Sequence, residues 1–261
     1  MRDKTCPIDR RDRTPLELDT DNGAEIMEQA AVKQAHVDAP MIPWALIALT
    51  ITTGTVDAIS YLRLGHVFVA NMTGNVVFLG FAVAGFRGIA ALGSLIAVAA
   101  FLAGSLAGGA MIRHGQNNTH LLLHATVVKF LLGIAALALT LAGPVQVGTL
   151  SAYALTALLA LAMGVQNAAV RKMAVPDFTT TVLTMTITGI AADYSSGIGS
   201  KLPRRATSVV SMFAGALLGA ALILRNGIVA ALIAVVILFG LTLLLVVITQ
   251  NRQQKNPAPS R

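Results

Sequence analysis

Three polar groups interrupt the long apolar stretches that follow the first 41 residues, and they are the first candidates for chemistry. Asp57 stands in Gly54-Thr55-Val56-Asp57-Ala58-Ile59-Ser60-Tyr61, inside a stretch otherwise suited to lipid. A carboxylate at the centre of such a stretch costs roughly 2.5–3.5 kcal/mol on insertion scales, so an acid there serves a function or has a partner. Both readings are open: a carrier of a proton or cation, or an ion pair with Arg63 near the segment end. Asn71 and Asn75 bracket Thr73 and Gly74, and on a helix the two amides share one face. Lipid offers them no partner, so that face must look into the protein or the backbone must break there. The third group is Thr180, Thr184 and Thr188, stacked at one-turn spacing, with Gln166 and Asn167 upstream. Threonine hydroxyls can bond the i−4 carbonyl, which makes such a helix tolerable but prone to bend. These residues either hold helices together, at about 0.6 kcal/mol per bond, or line a path for a small polar solute or ion.

Other arrangements carry less. His120 and His124 stand at i, i+4, yet no third ligand is near in sequence and a catalytic zinc wants three. Ser195 to Lys201 lacks the spacing of a phosphate-binding loop and reads as a flexible basic loop. No H-E-x-x-H, G-x-S-x-G or cysteine–histidine arrangement occurs, so neither an enzyme nor a cofactor or metal site is expected. Cys6 is the single cysteine and has no partner for an internal disulfide.

The elements that must position these residues are membrane helices. Apolar residues make up 55% of the 261 positions and charged ones only 12%, about half the usual charged share of a soluble domain. Mean hydropathy is +0.73. Residues 1–41 hold nine of the twelve acids and six of the nineteen bases. They read as a polar cytoplasmic tail without a signal-peptide core, with Ala24 to Val37 able to form a short surface helix. Residues 251–261 form a basic C-terminal tail. A basic excess on loops between apolar segments reports membrane orientation, not nucleic acid.

Eight apolar segments follow: Ile42–Tyr61, His66–Phe86, Ile89–Ile112, Leu121–Ala142, Val147–Val170, Val175–Asp193, Thr207–Leu224 and Ile228–Thr249. In lipid each must satisfy its own backbone, which predicts helices throughout. The fold class is an all-α polytopic membrane protein with six to eight full crossings. Gly54-Thr-Val-Asp57-Ala58 aligns with Gly164-Val-Gln-Asn167-Ala168, and Ala103 to Ile112 aligns with Ala214 to Ile223. This order predicts two sequence-related halves, 42–143 and 144–250, as in repeat-built transporters. Gly104, Gly108, Gly215 and Gly219 have the small-xxx-small spacing of close helix crossings, and the third and seventh segments are expected to cross each other.

The number of crossings stays open at this point. If all eight segments cross, thirteen bases lie inside and five outside; if the second and sixth only dip in, fifteen lie inside and three outside, Lys129 being left out of both counts. The positive-inside rule favours the dips, whereas the length of His66–Phe86 favours a crossing. Either way both termini fall in the cytoplasm.

The stretch from Gly54 through Asp57, Tyr61, Gly65, Phe68, Asn71, Thr73 and Gly74 to Asn75 resembles the YoaK family of bacterial membrane proteins, also called the domain-of-unknown-function 1275 family. Met163 to Ala168 and Thr180 to Thr184 are similar to that family's second motif; where members usually read Thr-Gly this chain has Thr184-Met185. The resemblance spans about 42–250. It implies a multi-pass protein of the bacterial inner membrane and brings no substrate or catalytic residues with it. The expectation is a small secondary transporter or permeation protein whose partners are the lipid bilayer and a small polar solute or ion. The alternative is a non-transporting membrane scaffold.

Overall fold

The computed structural model describes residues 42–86, 91–113, 118–173, 183–195 and 202–255. The N-terminal tail with its surface helix over Ala24–Val37, Thr180, residues 196–201 and residues 256–261 of the expected C-terminal tail lie outside the described residues, while residues 251–255 of that tail are helical. Every regular element among the described residues is helical: α1 (Ile42–Arg63), α2 (Met72–Val83), α3 (Ala91–Arg113), α4 (Asn118–Ala142), α5 (Leu150–Met173), α6 (Leu183–Ser195) and α7 (Leu202–Lys255). Five of them, α1, α3, α4, α5 and α7, are long and apolar enough to cross a membrane.

The expected eight segments map unevenly onto these helices. The second contracts to α2, whose 12 residues span about 18 Å, well short of the roughly 30 Å of a hydrocarbon core. The described part of the sixth is α6, 13 residues long. The seventh and eighth are joined in α7, which breaks at Gly227. There φ is 83° and ψ −178°, a conformation essentially reserved for glycine.

α1 and α5 form the interior: 72% and 61% of their apolar windows are buried, against 28% for α3 and 33% for α4 and α7. Val56, Ile59, Leu155, Leu159, Met163 and Phe239 belong to one core cluster. The outer helices present Leu102, Leu106, Phe213, Leu217, Ile237 and Leu244 outward. Such an apolar exterior would aggregate in water and is what lipid requires.

Glycines set the crossings. A methyl group on Gly215 would collide with the Ile51 carbonyl, and one on Gly54 would lie 2.7 Å from the Ala216 nitrogen. Likewise a methyl on Gly104 would collide with the Leu161 carbonyl, and one on Gly164 would lie 2.9 Å from the Ser105 nitrogen. Thr55 Oγ1 donates to the Gly215 carbonyl at 3.0 Å and Ser105 Oγ to the Gly164 carbonyl at 3.3 Å. The crossing expected between the third and seventh segments is therefore replaced by two others, α1 with α7 and α3 with α5. The spacing of small residues marks a close approach without naming the helix that approaches.

Contact order along each pair gives its direction. Ile51 meets Gly215 and Thr55 meets Gly219, so α1 and the first limb of α7 run parallel. Leu161 meets Gly104 and Val165 meets Gly108, so α5 and α3 are also parallel. In contrast His120 meets Gln250, Phe130 meets Gly240 and Gly133 meets Phe239. α4 and the second limb of α7 are therefore antiparallel.

Candidate functional site

α1 ends in a turn that sends the chain back alongside it. The His66 amide donates to the Tyr61 carbonyl at 3.2 Å across Gly65, whose φ is 95°; this is a Schellman closure with glycine in the left-handed position. Residues 66–71 then run without helix until α2 begins at Met72.

Two side chains hold this return. Asp57 is buried, and its Oδ1 accepts the Val69 amide at 3.1 Å and the Ala70 amide at 2.9 Å. Asn71 Nδ2 donates to Asp57 Oδ2 at 3.4 Å. Asn75 is fully buried; its Oδ1 accepts the Phe68 amide at 2.9 Å and its Nδ2 donates to the Phe68 carbonyl at 2.5 Å. Non-helical backbone that is buried needs hydrogen-bond partners from the protein, and these two residues supply them. Tyr61, Phe68 and Phe78 stack above, with ring centroids 5.2 and 6.0 Å apart.

The sequence-derived candidates thus separate. Asp57 pins the returning chain and is bonded to Val69, Ala70 and Asn71 instead of Arg63, which is exposed. Asn71 stands at the N-cap position of α2 with non-helical dihedrals and no side-chain capping bond, so it shares no helical face with Asn75. Thr73, Thr184 and Thr188 are exposed, while Thr186 is the buried threonine of α6. Asn167 donates to the Met163 carbonyl of its own helix at 2.9 Å.

Gln166 belongs to a different cluster. It is buried on α5, and its Oε1 accepts Lys129 Nζ of α4 at 2.8 Å. Lysine is a donor only, so the amide oxygen must face it and the amide nitrogen must face away. That nitrogen donates to Thr53 Oγ1 of α1 at 3.3 Å, and Thr53 donates in turn to the Leu49 carbonyl at 2.9 Å. Lys129 is 1% exposed, and its Nζ lies 4.4 Å from the centroid of the Phe239 ring of α7. A cavity of about 10 Å³, lined by Lys129, Gln166, Thr126 and Leu49 among others, adjoins the ammonium; it has room for one water-sized particle. Among the described residues no carboxylate pairs with Lys129. Burying an ammonium without a counter-charge costs several kcal/mol. The sequence signal for this site was a lone lysine amid the apolar residues of α4, which motif spacing does not pick out.

The chain matches known proteins over the part that carries these features. The family described as "Protein of unknown function (DUF1275)" matches residues 45–244. A relative, the UPF0700 transmembrane protein YoaK of Bacillus subtilis (strain 168), is 32% identical over 162 residues, which are 61% of this chain and 70% of that protein. No solved structure matches. With the family match spanning Asp57, Asn75, Lys129 and Gln166 alike, the chain belongs to the DUF1275 family of membrane proteins.

Proposed function

We propose that this protein is a small secondary transporter or permeation protein built from two inverted halves, each with three crossings and one segment that dips in and returns. One observation carries the reading: backbone at Val67–Asn71 leaves helical form beside the last two turns of α1 and is held there by Asp57 and Asn75. Discontinuous helices at membrane depth are the construction that transporters use to place polar backbone against a solute.

Helix directions support the inversion. Were all eight segments to cross, the fourth and eighth would run the same way; α4 and the second limb of α7 are antiparallel. Were only one of the two short segments to dip, α1 and the first limb of α7 would be antiparallel; they are parallel. Two dips satisfy both. The matched crossings support the halves too, since Ile51–Gly215 and Thr55–Gly219 repeat as Leu161–Gly104 and Val165–Gly108. The basic count of fifteen inside and three outside supports cytoplasmic termini for a protein of the bacterial inner membrane.

The test is flux. Purified protein in liposomes is to be screened against small inorganic ions, amino acids and organic acids. Uptake above protein-free liposomes for at least one of them is expected. Correctly folded protein that moves none of them would leave the scaffold reading in its place.

A further inference from the structure

We propose that Lys129 and Gln166, the latter positioned by Thr53, form a binding site for a small monovalent anion of halide size. The proposal deepens the transport reading and rests on it for its physiological meaning, although the binding itself does not require it.

The argument starts from what the cluster offers. An ammonium has three N–H donors and no acceptor. One reaches Gln166 Oε1, and the Phe239 ring lies 4.4 Å away. The ring face is attractive to a cation but accepts no conventional hydrogen bond of full strength. Capacity therefore remains for a ligand that accepts hydrogen bonds and carries negative charge. Gln166 is held by Lys129 on one side and Thr53 on the other, so its amide is fixed and its second N–H is free of rotation. Three helices, α4, α5 and α1, contribute one polar group each, and α7 contributes the ring.

The surroundings point to the same ligand. Charged or titratable groups that could neutralise the ammonium are missing from every described element packed on it: α1 presents Thr53 and Leu49, α5 Gln166 and Ala169, α4 Leu122, Ala125 and Thr126, and α7 Phe239. Asp57, the acid of α1, is engaged by Val69, Ala70 and Asn71. A bound anion supplies the counter-charge that the fold withholds, inside a medium where such pairing is strong. The space beside the ammonium is small, about 10 Å³, on the scale of a single water-sized particle, which favours a monatomic anion as the ligand. A cation is repelled by the ammonium.

The experiment uses full-length protein in detergent. Sodium gluconate is replaced by sodium chloride or bromide at constant ionic strength, and the thermal midpoint is followed. Wild type should show a saturable rise with either halide, because a ligand that binds only the folded state raises the midpoint. Lys129→Met keeps the length and removes the charge; its midpoint should not respond to halide. Gln166→Leu should weaken the apparent halide affinity at least about tenfold, the loss expected from one charge-assisted or orienting hydrogen bond. Should Lys129→Met fail to fold, Lys129→Gln, whose amide can still bond Gln166, carries the same expectation. A saturable halide response retained in the Lys129 variant, or its absence from wild type, overturns the proposal. Halide binding without flux of any solute would sink the transport reading and leave the site; flux of another solute with no halide response would do the reverse.

Discussion

Asp57 acts on its surroundings as a hydrogen-bond acceptor, and that sets how its variants should behave. Asp57→Ala strands the Val69 and Ala70 amides away from water. Each unpaired buried donor costs about 1–3 kcal/mol, so the variant should lose roughly 2–5 kcal/mol. Asp57→Asn retains an oxygen for both amides, and Asn71 can turn its own amide oxygen toward the new nitrogen; the loss should stay under about 1.5 kcal/mol. Unfolding of the purified variants in mixed micelles separates the two. Equal losses would mean that the charge holds the returning chain, not the acceptor geometry. The importance of Asp57 was legible in the sequence because an acid in an apolar run is costly. Its partners were not, since they are backbone amides 12 and 13 residues downstream, and a backbone donor has no residue type. Lys129 was legible only as a misfit, because its acceptor stands 37 residues away on another helix.

Among the helices, the glycine crossings make the sharpest demand. Gly104→Leu and Gly215→Leu each push a side chain into a neighbouring carbonyl, which should cost at least about 3 kcal/mol. Gly109→Leu lies five residues along the same helix as Gly104 with nothing within 4 Å of an added methyl, and it should behave as wild type. Monodisperse yield after detergent extraction and gel filtration reads the difference; three equal yields would remove the crossings from the account. Gly227→Ala should be milder, at about 1–3 kcal/mol of backbone strain, measured as a lowered thermal midpoint. The apolar segments themselves were well placed from sequence, and α1, α3, α4 and α5 lie within a few residues of expectation. The second segment was not, for a physical reason: His66–Phe86 is apolar on average, and hydropathy cannot see that Asp57 and Asn75 compete with helix for the amides of residues 68–70.

For the molecule as a whole, the proposed inverted arrangement predicts sidedness. Phe86 closes the end of α2 and, with a dipping second segment, shares the outer side with Arg63. A membrane-impermeant maleimide added to whole cells should therefore label Phe86→Cys and Arg63→Cys, and should reach Gln250→Cys only after permeabilisation. Labelling of Phe86→Cys only after permeabilisation would mean that the second segment crosses. The order of glycines in the sequence suggests two related halves, yet it cannot give the hand of such a repeat. Parallel and inverted copies have the same residue order, and only the relative directions of packed helices distinguish them.

The pairing of α1 with α7 also has a consequence in time. Thr55 and its acceptor Gly215 are 160 residues apart, whereas Ser105 and Gly164 are 59 apart. At about 5–20 residues per second of synthesis, α3 waits roughly 3–12 s for its partner and α1 waits roughly 8–30 s. Through that interval the face of α1 that carries Ile51, Gly54 and Thr55 has been made without the helix that covers it. A nascent chain truncated at Ser195 should accordingly be cleared by membrane proteases, while one that extends past Gly227 should persist. The newborn protein's exposure to quality control is set by how fast the ribosome reaches α7.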